Sequence, residues 1–460
     1  MIQQMSDIRS IPEVAGLDSS GGVVRLSPEL DVPLTERVRD LIDCPEFRRL
    51  AGIPQLGLVS LVYPAATHSR FEHSLGVYRL ALLFLRHLSH NERFAESVSR
   101  EQAELFVVAA LLHDIGHWPF CHPIEDIRLD GVPRHEEFAA GFLLEGELGS
   151  CLEKDWGIKP RAVLDLLTGE AATPADRILS SMLSGPIDID KLDYLMRDSF
   201  HAGVPYGRNY DQGRLIGSLC LNEAGDGLAI TQKGKTAAEM MVFARYVMFS
   251  EVYWHHGVRS ATSMLQRAFY LLHKDIARDE VFRLSQDGMV TQMRNVARQP
   301  EARELLDGLF GHRRTLYKRL AELSYYESAE VYEQVARRSY GWLVGCSDEL
   351  ARLLSSRTGE KFEGHEVLID APPVEKEVEF KIDVFDQKKD SYRPLEEVSP
   401  VVRTLAHEQF DDFVKRVRVF IHPRHSKSCA ELGDLSQLLL EAAAGADSRS
   451  GNQVAQGSQG

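Results

Sequence analysis

The stretch from Glu101 to Gly116 reads E-Q-A-E-L-F-V-V-A-A-L-L-H-D-I-G, an apolar helix that runs straight into a His-Asp pair. Leu105, Val108, Ala109 and Leu112 fall at i, i+3, i+4 and i+7, the spacing of one helical face. Gly116 and Pro119 then stop the helix just past the polar pair. A segment of this kind commits the chain to a packed helical body whose interior delivers histidine and aspartate to a helix end. Adjacent helical residues point about 100° apart, so the two side chains converge only on a point lying off that end.

Two further segments supply matching residue types: R-F-E-H-S-L-G-V at Arg70 to Val77 and D-I-D-K-L-D-Y-L-M-R-D at Asp188 to Asp198. A histidine from another helix and a later aspartate complete a mixed nitrogen and oxygen shell around one divalent ion. Such a shell leaves positions open for water and substrate oxygens. His73, His113, Asp114 and Asp190 are the expected ligands, and the ion is one of Mn, Mg, Fe, Zn, Ni or Co. One His-Asp pair is commonplace, and a lone histidine at a helix end is more often a cap or a surface residue. The compound pattern carries the reading.

Composition limits the rest. The 460 residues, 44% hydrophobic and 26% charged, suit one large core with appendages or two to three domains. With 68 acidic against 53 basic side chains the net charge is −15, which repels nucleic acid and anionic membranes at long range. An anionic substrate then needs a local cluster of cations. No run approaches the roughly 20 apolar residues of a membrane span, and M-I-Q-Q-M-S-D-I-R lacks the pattern of a signal peptide. Cys44, Cys121, Cys151, Cys220, Cys346 and Cys429 form no C-x-x-C pair. That spacing argues against a disulfide framework or a cysteine-ligated zinc and suits a reducing cytoplasm, the expected location.

The pattern predicts a mainly α protein. Residues 1–33 are a lead with one edge strand at Val23 to Leu26, and 34–275 a helical body. Residues 276–435 add helices and a small mixed α/β lobe, and 436–460 are a disordered tail, too polar and small to pack from Ala442 onward. Within the body, Lys235 to Asp275 is helical with a break at Gly257. Beyond it, H-R-R-T-L-Y-K-R-L at His312 to Leu320 is expected to be a helix with a basic face. Strands are expected near His365, Glu377 and Lys415, where β-branched residues partly alternate.

The three motif segments resemble the HD-domain metal-dependent phosphohydrolases, and within them the deoxynucleoside triphosphate triphosphohydrolase branch. The resemblance runs from D-C-P-E-F-R-R-L at Asp43 through Q-L-G at Gln55 and P-A-A-T-H-S-R-F-E-H-S-L-G-V. It continues through the His113 segment and D-I-D-K-L-D-Y to R-R-T-L-Y-K-R, with fainter echoes at K-R-V-R-V-F-I. It implies a helical HD core over 34–275 with a small α+β C-terminal lobe, and metal held by the four ligands named above. It also implies that His122 protonates the leaving ester oxygen while Glu125 and His135 orient it, with His117 alongside. Neutral-pH proton transfer suits histidine.

By the same resemblance Arg70, Lys191 and Arg245 bind the triphosphate and Tyr194 packs beside it. Gln55 and Asp198 read the sugar hydroxyl, and Tyr253 lies beneath sugar or base. Asp190, Tyr194 and Asp198 share one helical face at i, i+4 and i+8, and Arg245, Phe249 and Tyr253 repeat that spacing. Taken singly, each aromatic is more often ordinary core. The chain departs from the vertebrate members at Glu125, where they carry Asp, and at Phe249, where they carry His. Their guanine-nucleotide activator site uses an acid, a Gln and an Arg; here the positions hold Asp43, Arg48 and Ala51.

The expected activity is hydrolysis of a dNTP to deoxynucleoside and inorganic triphosphate by a homo-oligomer, dimer or tetramer; an activating nucleotide is left open, since two of the three activator positions differ. R-R-T-L-Y-K-R is either an inter-subunit nucleotide site or a solvated face. Nucleoside monophosphatase or phosphodiesterase activity is the runner-up. A nucleotide-sensing or single-strand-binding assembly is the third reading, which the acidic charge disfavours.

Overall fold

The central helix is defined by its caps. In α2 (Arg100–Leu112) the Ser99 hydroxyl accepts from the Gln102 amide while the Gln102 side chain accepts from Ser99 N–H, a capping box. The computed structural model describes residues 8–457 apart from 20, 29, 171, 373–380 and 406–413, with side chains through Arg449. Ahead of α2, a hairpin of β1 (Val23–Leu26) and β2 (Leu30–Pro33) leads into α1 (Arg70–Leu88), which packs against α2. Leu105 is only half-buried, whereas Phe106, Val107, Ala110 and Leu111 are fully enclosed with Val108, Ala109 and Leu112. The expected single apolar face is therefore replaced by burial all round, as befits a helix inside the core. The helix also ends at Leu112, one residue before the His-Asp pair.

A short α3 (Cys121–Asp126) follows, then α4 (Ile189–Ala202), which packs across α1. Gly76 on α1 permits that approach: a Cβ there would overlap the Asp193 carboxylate and the Arg197 guanidinium of α4. Next come two strands the helical periodicity does not announce, β3 (Leu219–Leu221) and β4 (Leu228–Thr231), before α5 (Lys235–Met248) and α6 (His256–Leu272). Phe249–Tyr253 forms one wide π-helical turn, and the chain breaks at Trp254 and His255 rather than at Gly257.

Beyond α6 stand α7 (Pro300–Phe310), β5 (Lys318–Leu323), α8 (Tyr340–Thr358) and β6 (Val367–Asp370). They are followed by β7 (Asp383–Asp386), β8 (Ser391–Pro394), β9 (Val417–Ile421) and α9 (Ser436–Gly457). The basic segment from His312 to Leu320 is not a helix. It enters β5, which pairs antiparallel with the fully buried β9, and β6 pairs on the other side of β9. Sheet pairing overrides the local pattern there. Of the strand expected near Glu377, residues 373–380 lie outside the described residues, and pairing begins at Asp383.

Two expected boundaries shift. The chain returns at β7, which lies parallel to β4 in a sheet ordered β3-β4-β7-β8. Ile382, Val384, Leu395, Val402 and Leu405 join the same core as α1, α2, α4 and α5, although they were expected in the C-terminal lobe. Conversely α6 packs with α7 in a second core centred on Trp118 and Phe282, whose rings stack at 4.3 Å. The tail is corrected too: Leu438, Leu439, Ala442, Ala443 and Ala446 of α9 are buried in a third core with α8. Burying a leucine contributes roughly 2 kcal/mol, and the small alanines let the helices approach closely. Trp342 Nε1–H donates to Asp447 Oδ1 at 2.8 Å across that contact.

Candidate active site

Asp114 follows α2 in a turn whose carbonyls need partners. The Arg49 guanidinium supplies them, donating to Ile115 O at 2.6 Å and His117 O at 2.8 Å. Gly116 lets the neighbouring chain come close, since a Cβ there would strike the His135 carbonyl. Phe120 then takes a left-handed conformation, φ 58°, to start α3. A non-glycine residue held this way costs about 1–2 kcal/mol, a strain of the sort found beside functional sites.

The four expected ligands converge. His73 Nε2 lies 3.2 Å from His113 Nε2 and 3.0 Å from Asp190 Oδ1. Asp114 Oδ1 is 3.4 Å from His113 Nε2, and Asp190 Oδ1 is 3.8 Å from it. His73, His113 and Asp114 each offer an atom within 4.8 Å of the others. Ligand arms of about 2.0–2.2 Å put neighbouring donors about 3 Å apart, so this set fits a divalent ion.

The rings are oriented for that role. His73 Nδ1 donates to Asp193 Oδ2 at 2.8 Å, and His113 Nδ1 donates to Ala110 O at 2.9 Å, which turns both Nε2 atoms inward, where a bound cation would replace the proton that His73 shares with Asp190. Asp193 is in turn held bidentately by Arg197, at 2.7 and 2.8 Å, and Arg197 reaches Glu72. Burial opposes a proton on His73, but Asp190, Asp193 and Asp114 outweigh it and lift its pKa to about 10. A field that attracts a proton so strongly attracts a cation equally well. Burial likewise works against ionised Asp114, yet Arg70, with His113 and His73, holds it well below the usual carboxylate range.

The second group gathers one turn beyond. His135 Nδ1 is 3.0 Å from Glu125 Oε1, which also accepts the His135 backbone N–H at 2.7 Å. His122 Nδ1 lies 3.6 Å from Glu125 Oε2, with its ring 60% exposed. Despite burial, the two histidines keep Glu125 well below its ordinary pKa, and Glu125 raises that of His135. The His117 ring lies tilted against that of His135, with centroids 3.9 Å apart, and sits 3.1 Å from Asp114 Oδ1. Burial, helped by Arg70, pushes its pKa well down, so it is neutral.

These groups open onto two chambers that share Gln55, Arg70, His122 and Tyr194 in their walls. The larger, about 730 Å³, is lined by His113, Asp114, Asp190, His117 and His135. The smaller, about 400 Å³, is lined by Asp198, Phe249, Tyr253 and Trp254. Tyr253 Oη–H donates to Asp198 Oδ2 at 2.6 Å, and His68 Nε2 is 2.8 Å from Oδ1. Arg70 also grips Asp114 Oδ2 at 2.7 Å.

Two expected cations are placed otherwise. The Lys191 ammonium is held by Asp188 Oδ2 at 2.5 Å and Gly185 O at 3.0 Å, and neither Lys191 nor Arg245 is among the residues lining the chambers. Arg245 lies over the Phe249 ring, 5.4 Å from its centre. Asp193, Arg197, His68 and Arg49 were missed as individual residues. The Asp193–Arg197 spacing of i, i+4 was the available signal; nothing local marks His68 or Arg49.

Residues 70–164 match the HD domain, and residues 210–434 match the HD associated region. An uncharacterized protein of Methanocaldococcus jannaschii is 32% identical over 388 residues, covering 83% of this chain and 76% of its own length. The deoxynucleoside triphosphate triphosphohydrolase SAMHD1 of Gallus gallus is 27% identical over 362 residues, 68% of this chain and 57% of its own length. Among solved structures, a hypothetical protein from Aquifex aeolicus resembles this fold with a TM-score of 0.68 at 27% identity, over 89% of this chain and 100% of that one. Among the described residues no helix is long and apolar enough to cross a membrane.

Proposed function

Because the chain belongs to the HD-domain phosphohydrolase family and carries that family's associated region, we propose that it hydrolyses dNTPs to deoxynucleoside and inorganic triphosphate. The observation that carries this reading is the pair of chambers meeting at Arg70 and His122: one rich in imidazoles and ligand carboxylates, the other walled by aromatic rings around Asp198. The first suits linked phosphates and the second a nucleoside. His73, His113, Asp114 and Asp190 would hold a divalent ion, which when bound would supply Lewis acidity at the phosphate and lower the pKa of water there.

The side chains do the remaining work. Arg70 and Arg134 face the phosphate chamber and offset its charge. The Glu125 carboxylate fixes His135 and occupies the Nδ1 side of His122, which leaves His122 Nε2 for proton transfer. His122 gives its proton to the 5′-oxygen as the bond from that oxygen to the α-phosphorus breaks and a water oxygen takes its place. Tyr253 and Phe249 flank the sugar and base, while Gln55 and Asp198 meet the sugar hydroxyl.

The positions of Lys191 and Arg245 favour a second reading, nucleoside monophosphatase activity, because a single phosphate has less need of distant cations. Incubating the metal-loaded protein with each dNTP and dNMP, then identifying products by mass, separates the two. Inorganic triphosphate supports the first reading; orthophosphate from dNMP alone replaces it with the second.

We further read the chain as a dimer or tetramer. Asp43, Arg48 and Ala51 are exposed, and only the first matches the family's activator set. Single dNTPs are therefore expected to be hydrolysed without a partner nucleotide, and activity confined to dNTP mixtures would refute this.

A further inference from the structure

The six cysteines are all free, and two that lie 107 positions apart in the chain meet in space: Cys44 Sγ and Cys151 Sγ are 3.4 Å apart. Cys44 caps the helix Pro45–Arg48, and Cys151 ends the helix Glu147–Cys151. The two helices are packed together, and the Glu147 N–H donates to Glu46 Oε1 at 2.8 Å. The thiols therefore stand at a fixed, preformed contact.

The two sulfurs differ in access. Cys44 is 4% exposed and donates its S–H to Asp40 O at 3.3 Å, whereas Cys151 is only partly buried. Burial, the neighbouring thiol and the charges of Glu46 and Glu147 push the Cys44 thiol well up, so it stays protonated. Cys151 is the group that meets an oxidant first. A disulfide needs the sulfurs at about 2.05 Å, closer than the 3.4 Å contact by about 1.3 Å.

We propose that Cys44 and Cys151 form a reversible dithiol–disulfide pair, oxidised by peroxide, that ties the Pro45–Arg48 helix to the Glu147–Cys151 helix. In the first step peroxide transfers one oxygen to the Cys151 sulfur, giving a sulfenic acid and water. In the second the Cys44 sulfur attacks that sulfur and its proton leaves with the displaced hydroxyl as a second water. Two thiols and one peroxide thus become one disulfide and two waters, and thiol reductants reverse the change.

The location gives the bond a consequence. Arg49 is the residue after the Cys44-capped helix, and its guanidinium holds the carbonyls of Ile115 and His117, the turn that carries Asp114. Oxidation therefore fastens the segment that positions this turn. The effect does not depend on which substrate the site takes.

The test treats the full-length protein with one equivalent of hydrogen peroxide, then alkylates it under denaturing conditions and maps peptides by mass. The expected result is one Cys44–Cys151 cross-linked peptide, two hydrogens lighter, with Cys121, Cys220, Cys346 and Cys429 alkylated. Oxidised protein should melt several degrees above reduced protein, and Cys151→Ser should abolish that difference while its reduced form melts close to the wild type. Recovery of both Cys44 and Cys151 as alkylated thiols, or of Cys151 only as an oxygenated acid, would overturn the proposal. The peptide map needs no variant, so a poorly folding substitution does not blunt it.

Discussion

Among the described residues, the histidine and carboxylate cluster at His73 and the one in the C-terminal region are told apart by the supply of protons to their rings. Around His73 and His113 both Nδ1 atoms donate outward, to Asp193 and to Ala110 O, so the two Nε2 atoms face each other beside Asp190. In the C-terminal region, Glu304, Glu366 and His422 also come within ligating distance of one another. There, however, the Arg424 N–H donates to His422 Nδ1 at 3.1 Å, which puts the ring proton on Nε2, 3.3 Å from Glu304 Oε1. His365 Nε2 lies 2.9 Å from Glu304 Oε2, and His425 sits between Glu360 and Glu366 at 3.1 and 3.2 Å. The second cluster is closed by its own hydrogen bonds. Distance alone does not separate a metal site from an ion-pair network; the direction of the hydrogen bonds around each ring does.

The sharpest way to break this contrast is to remove a ligand. Asp114→Ala should empty the first cluster of metal and lower hydrolysis by about a thousandfold or more, measured by elemental analysis and product release; retained metal and activity would dissolve the distinction. A smaller effect is expected one bond further out. Asp193→Asn leaves His73 in place but weakens the acceptor that orients it, and metal affinity should fall by about 10- to 100-fold. Turnover should return at high metal concentration, and an unchanged metal titration would show that ring orientation is not set from Asp193.

In the second cluster the expected losses are structural. His422→Gln should leave metal content and turnover unchanged and cost about 1 kcal/mol of stability, the usual worth of one hydrogen bond; a drop in bound metal would make this cluster a second ion site. The acid response is gentler still. Burial opposes ionisation of Glu322, yet Arg418, with Arg319 and Arg416, pulls its pKa down to about 2. Since the folded value lies below the unfolded one, its contribution is present above about pH 4.5 and is lost as pH falls toward 2. Glu322→Gln should therefore flatten the acid limb of unfolding followed by circular dichroism, while wild type and variant converge near pH 2.

The meeting of the four candidate side chains was legible because each must be a particular residue type, and the compound spacing of H, H-D and D-x-D-K is rare by chance. The lock on His73 was less so: Asp193 stands in the same quoted segment, but its orienting role depends on Gly76 letting α1 and α4 touch. Lys191 stands outside both chambers because Asp188, three residues earlier, captures its ammonium while also capping α4. The basic run at His312 to Leu320 looked helical because its partner, β9, lies about a hundred residues away. Residues 436–449 looked too small to pack for the opposite reason: small side chains are what allow α9 to lie closely on α8.

The pairing of β7 with β4 joins positions some 150 residues apart. Until the stretch from Ile382 to Leu405 has left the ribosome, the sheet beside α5 lacks its third and fourth members and the first core is short of five apolar side chains. A fragment stopped at the end of α7 would keep all four candidate metal ligands and still expose an open strand edge, the usual route to aggregation. Completion of the helical body is thereby deferred until long after its candidate ligands have been made.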